Sequence, residues 1–314
     1  MAYTAKVIAD SVSPAGIRLL TMQLRYPKFI HGEFMTHRVF SHNASSSRAI
    51  PIERMLRDVI DDPAMPIYWG RNQKGMQAAE ELTGNALSIA QIEWLGARDL
   101  AVMVARRLAN FGLHKQIVNR LIEPWAHINV LVTATDYANF YALRRDAGAQ
   151  PEIQAVANAM WEAQASSMPV KRDYGDWHLP YVNMDQDDDE SDWHKIFQYT
   201  WARHKAGDFS EGAVDQLTDR FACQISTARC ARLSYMTQDG KLSTIDEDLA
   251  LYHRLVGSQP LHASPAEHQA TPDQLSLQGA VSGCYFDWKH PEQHGNFRGW
   301  CQYRKTLPNE CIRG

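Results

Sequence analysis

The chain has 314 residues, is 45% hydrophobic, and carries 32 basic against 36 acidic side chains for a net charge of −4. That is enough apolar material for a core in one large domain or two ordinary ones, and too little positive charge for a general attraction to nucleic acid, so any phosphate must be held by a local cluster. Cys223, Cys230, Cys284, Cys301 and Cys311 are odd in number, lack C-x-x-C spacing and read as reduced thiols; no run nears the ~18 apolar residues of a membrane span and no secretion signal opens the sequence, so a cytoplasmic protein with no membrane and no nucleic-acid partner is expected.

Residues 5–38 read as strands: Lys6 to Asp10, then Arg18 to Leu24 in partial alternation, a break at Pro27, and a third over residues 29–35. His37 and Arg38 then stand at a strand end, where sites are commonly built. From Glu33 to Pro51 two basic residues are followed by Ser41, Asn43, Ser45, Ser46 and Ser47 and then Arg48, with no acidic residue after Glu33. Hydroxyls, an amide, backbone N–H groups and a guanidinium are what a phosphate needs, although Ser/Asn clusters also simply mark solvated loops.

Ile52, Met55, Leu56 and Ile60 share one helical face, stopped by Pro63 and Pro66. The stretch Gly70 to Met76 nearly spells a phosphate-binding loop but lacks its Lys and Ser/Thr, and is rejected as an ATP site. Ile89, Ile92, Leu95, Leu100, Val104 and Leu108 keep a helical period that ends at Gly112, predicting a long core helix, and a second helix is predicted over 115–122 with Arg120 in its last turn. Residues 130–146 begin β-branched and become helical, with Thr133, Thr135 or Asp136 as candidate N-caps, and 149–163 is a further helix.

Residues 166–200 read as loop-rich, with Trp177 and His178 a conceivable lid and the run from Asp185 to Asp192 a solvated acidic loop. Helices are predicted over 211–235 and 246–255. His262, Glu267 and His268 tempt a zinc reading, but adjacent Glu267 and His268 point in different directions on any regular element and H-E-x-x-H is absent, so no metal is assigned.

Read as Thr36-His37-Arg38-x-x-Ser41-x-Asn43-x-x-Ser46-x-Arg48, the Ser-rich stretch resembles the R-H-R-x-x-S-x-N-E-x-S-x-R-Y motif of the flavin-dependent thymidylate synthases. Three further segments are similar to that family: Arg120-x-x-x-Pro124; Asn139-Phe140 through Leu143-Arg144-x-Asp146 to Glu152-Ile153; and Ala231-Arg232-x-Ser234-Tyr235 with His262-x-Ser264-Pro265-x-Glu267-His268. The last group precedes the R-H-R motif in the family and follows it here, so a circularly permuted chain is inferred, cheap where termini lie close together. Thr36 stands where the family has Arg, Ala44 where it has Glu, Ala49 where it has Tyr, and Thr133 and Thr135 where it has Asn and Arg.

The resemblance implies one α+β domain over residues 1–314 with a mixed sheet and long helices: a signature and helical half (1–163), a loop-rich insertion (164–210), and a permuted flavin-binding segment with a tail (211–314). It implies FAD, NADPH and 5,10-methylenetetrahydrofolate as cofactors and a homotetramer with shared active sites. Flavin contacts would fall to His37, Arg38, Asn139, Ser234, His262, Ser264 and Glu267, and nucleotide contacts to Ser46, Ser47, Arg48, Arg120 and Arg144. Arg144, facing the pyrimidine carbonyl edge, would also be catalytic, stabilising charge as C5 becomes nucleophilic. The implied reaction is C5 methylation of a deoxypyrimidine monophosphate, deoxyuridylate first. Alternatives are deoxycytidylate, a hydroxymethyl product, or a nucleotide- or flavin-binding protein without turnover.

Overall fold

The computed structural model describes residues 3–235, 243–258, 261–278, 285–308 and 310–311. Its centre is a five-stranded mixed sheet. The strands are β1 (Thr4–Val12), β2 (Arg18–Pro27), β3 (Ser41–Ala44), β4 (His127–Ala134) and β5 (Val170–Lys171), in the order β3-β4-β2-β1-β5. All neighbours are antiparallel except β1 and β5. The class is therefore α+β, as expected.

The two-residue period of the strands sorts the sheet into two faces. Leu20, Met22, Leu24 and Tyr26 of β2 join Ile128, Val130, Val132 and Ala134 of β4 in one core, closed by Phe140 and Tyr141 and by Ile153, Val156, Ala157 and Met160. Burying each such aliphatic side chain contributes about 1.5–3 kcal/mol. The alternate residues Thr21, Leu131 and Thr133 face the other way, where Leu131 meets Cys230 and Leu233.

Ten helices occur among the described residues. They are α1 (His31–Phe34), α2 (Ile52–Asp61), α3 (Gly84–Asn110), α4 (Lys115–Val118), α5 (Ala138–Arg144), α6 (Pro151–Ala165), α7 (Asp192–Lys205), α8 (Val214–Tyr235), α9 (Ile245–Val256) and α10 (Tyr303–Thr306). Four short strands, β6 (Ala270–Pro272), β7 (Leu275–Gln278), β8 (Tyr285–Trp288) and β9 (Trp300–Gln302), form two small antiparallel pairs, β6 with β9 and β7 with β8.

Several elements differ from the sequence reading. Residues 29–35 are not a strand: Pro27 ends β2, and a 3-10 turn over Lys28–Ile30 runs into α1. Ile30 and Phe34, four apart and both buried, sit on one side of that helical segment, a spacing an alternating pattern imitates over so few residues. The helix expected over 115–122 is only the four residues of α4, followed by a 3-10 segment, Asn119–Trp125, that carries Arg120 and Pro124. The loop-rich region is shorter than expected, because α7 begins at Asp192.

The long helix α3 forms, and Gly112 ends it at φ +82°. It is not a core helix. Val102 and Ala105 are its fully buried residues, while Ile89, Ile92, Leu100 and Val104 of the apolar stripe are exposed.

His178 is not a lid. It is wholly buried, its Nδ1 bonded to Ser11 Oγ and its Nε2 to Thr21 Oγ1, both at 2.8 Å. The chain of bonds continues from Thr21 Oγ1 to Thr133 Oγ1 (2.7 Å) and from Thr133 to His268 Nδ1 (2.8 Å). Thr133 is thus a cross-sheet link rather than an N-cap; Asp136 Oδ1 accepts the Ala138 amide at 2.8 Å at the start of α5.

Candidate functional site

The site is organised along β3, the sheet's edge strand. Its outer side is covered by the chain's C-terminal part. Asn43 Nδ2 donates to the Cys230 carbonyl in α8 at 2.6 Å, and Ser41 Oγ accepts from Gln302 Nε2 at 3.2 Å. Segments nearly two hundred residues apart in sequence meet here.

Beyond β3 lies a cavity of about 490 Å³, lined by Asn43, Ser46, Arg48, His114, Lys115, His262 and Ser264, with Ala231, Leu255 and Pro265 as apolar walls. Among the described residues no carboxylate lines it. Ser46 Oγ accepts the Arg48 amide at 3.3 Å, while the Arg48 side chain is exposed and has no ion-pair partner among the described residues. Lys115 donates from Nζ to the Ala49 carbonyl at 2.9 Å, which keeps its ammonium at the rim. The cavity can accept an anion, with two cations and two hydroxyls available to it.

A second cavity of about 430 Å³ shares Ala49 but is lined by Ser45, Asp58, Asp61 and Asp62 as well as Arg25, Arg54 and His127. Three carboxylates make it a poor receptor for phosphate.

At the other end of β3, His37 and Arg144 form a pair. Arg144 Nε donates to His37 Nε2 at 2.8 Å and Nη2 reaches Thr36 Oγ1 at 3.4 Å. His37 packs edge-on against Phe140, and its pKa is lowered by burial and secondarily by the Arg144 charge. Between the two ends, Glu267 pairs with Arg304. Burial raises its pKa, and Arg304 only partly offsets this.

Of the residues singled out from the sequence, Ser46, Arg48, His262 and Ser264 are brought to one cavity, and His37 and Arg144 to one contact. Arg38 and Asn139 are exposed near that contact in sequence, outside the cavity lining. Ser47 points elsewhere: its hydroxyl donates to Glu123 Oε1 at 2.5 Å, which also takes Lys28 Nζ. Arg120 lies 3.7 Å from the other Glu123 oxygen and outside the cavity. The side chain of Ser234, like Cys284, lies outside the described residues.

The sequence reading missed Lys115, which it placed in an ordinary helix, and Arg304, which it left in an unassigned tail. An absence of nearby carboxylate could have marked Lys115; nothing local marks Arg304.

No curated protein matches the sequence. Among solved structures, the crystal structure of a UMP/dUMP methylase PolB from Streptomyces cacaoi bound with 5-Br UMP is similar at 18% identity and a TM-score of 0.42, covering 52% of this chain and 88% of that one. A family model described as thymidylate synthase complementing protein matches residues 9–170, just over half of the chain, spanning β1 to β5 with His37, Arg48 and Arg144. The chain therefore belongs to the thymidylate synthase complementing protein family, the flavin-dependent thymidylate synthases, and is a methyltransferase of that type acting on a nucleotide.

Proposed function

We propose that the chain methylates C5 of a deoxypyrimidine 5′-monophosphate, deoxyuridylate first, with FAD, NADPH and 5,10-methylenetetrahydrofolate. The observation that carries this is the cavity in which Ser46, Arg48 and Lys115 face His262 and Ser264, with no carboxylate among the described residues that line it. Its size suits a small polar ligand. The donor set suits phosphate-bearing ligands in general: Arg38 and Arg48 have no carboxylate partner among the described residues, and His42 Nε2 and His268 Nε2 are buried without a hydrogen-bond partner.

In this reading Ser46 and Arg48 hold the nucleotide phosphate, with Lys115 at the rim. Arg144 would present its guanidinium to the pyrimidine O2/N3 edge and stabilise the negative charge that builds there as C5 becomes nucleophilic. His37, held neutral, fixes the orientation of that guanidinium. His37, Arg38, Asn139, His262, Ser264 and Glu267 would hold the flavin, which when bound supplies hydride chemistry that no side chain offers.

His37 with Arg144 and the Ser46–Arg48 cavity are separate clusters within one chain. That separation, together with the exposed Ile89, Ile92, Leu100 and Met103 of α3, supports a homotetramer in which neighbouring copies complete each site. Among the described residues no helix is long and apolar enough to cross a membrane. We assign the enzyme to the cytoplasm.

Mass spectrometry of nucleotides after incubation with FAD, NADPH, methylenetetrahydrofolate and either deoxyuridylate or deoxycytidylate tests the proposal. Methylated deoxyuridylate is expected. Modified deoxycytidylate or a hydroxymethyl product would shift the specificity to Thr36 and Ala44, and flavin binding without turnover on either nucleotide would overturn methylation.

A further inference from the structure

Resting on the flavin reading above, a further pair of ligand-holding residues can be assigned. Thr133 and Thr135 stand where the family has Asn and Arg, in what the resemblance implies are its flavin- and nucleotide-contacting segments. Neither can play that part here: Thr133 is wholly buried between Thr21 and His268, and Thr135 Oγ1 accepts the Arg298 backbone amide at 3.2 Å.

The tail brings an Asn and an Arg beside these two positions. Asn296 Nδ2 donates to Ser41 Oγ at 3.4 Å, and Ser41 is the cross-strand partner of Thr133. Arg298 sits beside Thr135. Asn296-Phe297-Arg298 thus repeats Asn-x-Arg, with the same spacing of two, from a segment of chain more than 160 residues later in sequence.

The backbone of this segment is held firmly. Phe297 is buried with Leu19, Ala270 and Trp300, which leaves its two neighbours exposed on either side of it. The Phe297 amide donates to the His294 carbonyl at 2.8 Å, and His294 Nε2 is 2.9 Å from Asp273 Oδ2. Gly299 closes the turn at φ +72°, where a Cβ would come within 2.7 Å of Ile17 Cδ1. The Arg298 guanidinium has no partner among the described residues and so remains available to an anion.

We propose that Asn296 and Arg298 supply the amide and guanidinium for the flavin nucleotide that Thr133 and Thr135 no longer provide, with Arg298 on its phosphate oxygens. A guanidinium fits such oxygens bidentately.

The test is FAD affinity, read by quenching of flavin fluorescence, in the full chain and in Arg298→Ala, Asn296→Ala and Arg298→Ala/Thr135→Arg. Arg298→Ala should weaken FAD roughly ten- to hundredfold, the usual cost of a lost charged hydrogen bond. Asn296→Ala should weaken it several-fold, and Thr135→Arg should restore most of what Arg298→Ala loses. Thermal melting of each variant checks folding; Arg298 is exposed, so its melting temperature should hold. Unchanged FAD affinity in Arg298→Ala, or a loss that Thr135→Arg does not repair, overturns the assignment while leaving the flavin reading intact. Failure of the unaltered chain to bind FAD while it binds deoxyuridylate overturns both.

Discussion

Arg144 donates from Nε to His37 Nε2 at 2.8 Å, joining the end of α5 to the turn before β3. A guanidinium can only donate, so His37 offers a lone pair at Nε2 and carries its proton on Nδ1. Protonating His37 would break the bond and set two cations together. Burial and the Arg144 charge both lower the His37 pKa. Arg144→Gln should therefore raise it toward the ordinary histidine value, as followed by NMR of the imidazole carbons. If Arg144 also stabilises charge on the pyrimidine, kcat should fall about 10²–10³-fold, as when a transition-state donor is lost. An unmoved His37 titration would show that the contact does not form in solution.

Arg48 offers a separable test of phosphate recognition. Its guanidinium is unpaired among the described residues and lines the cavity with Ser46 and Lys115. Arg48→Ala should weaken deoxyuridylate binding by about 1.5–3 kcal/mol, the range for a charged hydrogen bond, and leave deoxyuridine, which has no phosphate, unaffected. Calorimetric titration of both ligands decides the matter. Equal losses for the two would mean that Arg48 shapes the cavity rather than reading the phosphate.

Periodicity made α2, α6 and α9 legible before any coordinates, because Met55, Leu56 and Ile153, Val156 and Met160 repeat at helical spacing on a buried face. The alternation of Leu20, Met22 and Leu24 likewise announced β2. The same logic misplaced α3, since a regular apolar stripe predicts the helix but does not say how much of that stripe the rest of the chain covers. Of the site, Ser46, Arg48, His262 and Ser264 were legible because they fell in recognisable motifs. Ser47 looked identical to Ser46 in sequence, and only the position of Glu123 decides where its hydroxyl points. His178 beside Trp177 resembled a mobile loop until its partners, Ser11 and Thr21, were known. Arg298 and Arg304 could not be placed from the sequence, because their positions depend on the tail returning to β3.

Four histidines whose pKa values are pushed furthest down make stability depend on pH. Burial, the largest cause in each case, pushes His42 and His127 down to about 4 and His178 and His268 down to about 3. Their unfolded pKa lies near 6.5. Between those values the unfolded chain binds more protons than the folded one, so stability rises with pH and is lost as pH falls from about 6.5. Glu267, with its pKa raised, opposes this in the carboxylate range. Unfolding near pH 5 should take up close to four protons from these histidines, seen as a steep fall in Tm between pH 7 and 5. His268→Gln should remove about one proton from that uptake. A flat Tm across the interval would mean that these imidazoles are hydrated in solution.

Asp248 holds the helices behind the cavity, and its loss should be costly. The side chain is fully buried; it accepts from Arg229 Nε at 3.0 Å, Arg232 Nε at 2.8 Å and Ser243 Oγ at 2.7 Å. Arg229 reaches on to both oxygens of Asp192 at 2.9 Å and to the Tyr181 carbonyl at 2.7 Å. One carboxylate thus ties α9 to α8, and Arg229 ties α8 to the start of α7. Asp248→Asn keeps the shape but removes the charge and leaves two guanidiniums competing for one carbonyl oxygen. Breaking a buried pair in this way costs about 3–5 kcal/mol. Asp192→Asn, at a partly exposed side chain, should cost less. Urea denaturation of the two variants gives the comparison. Because α8 contributes Ala231 to the cavity wall, Asp248→Asn should also weaken nucleotide binding at temperatures well below its melting point. A variant as stable as the original chain would mean that water already solvates this carboxylate, and that the three helices are held by their apolar contacts alone.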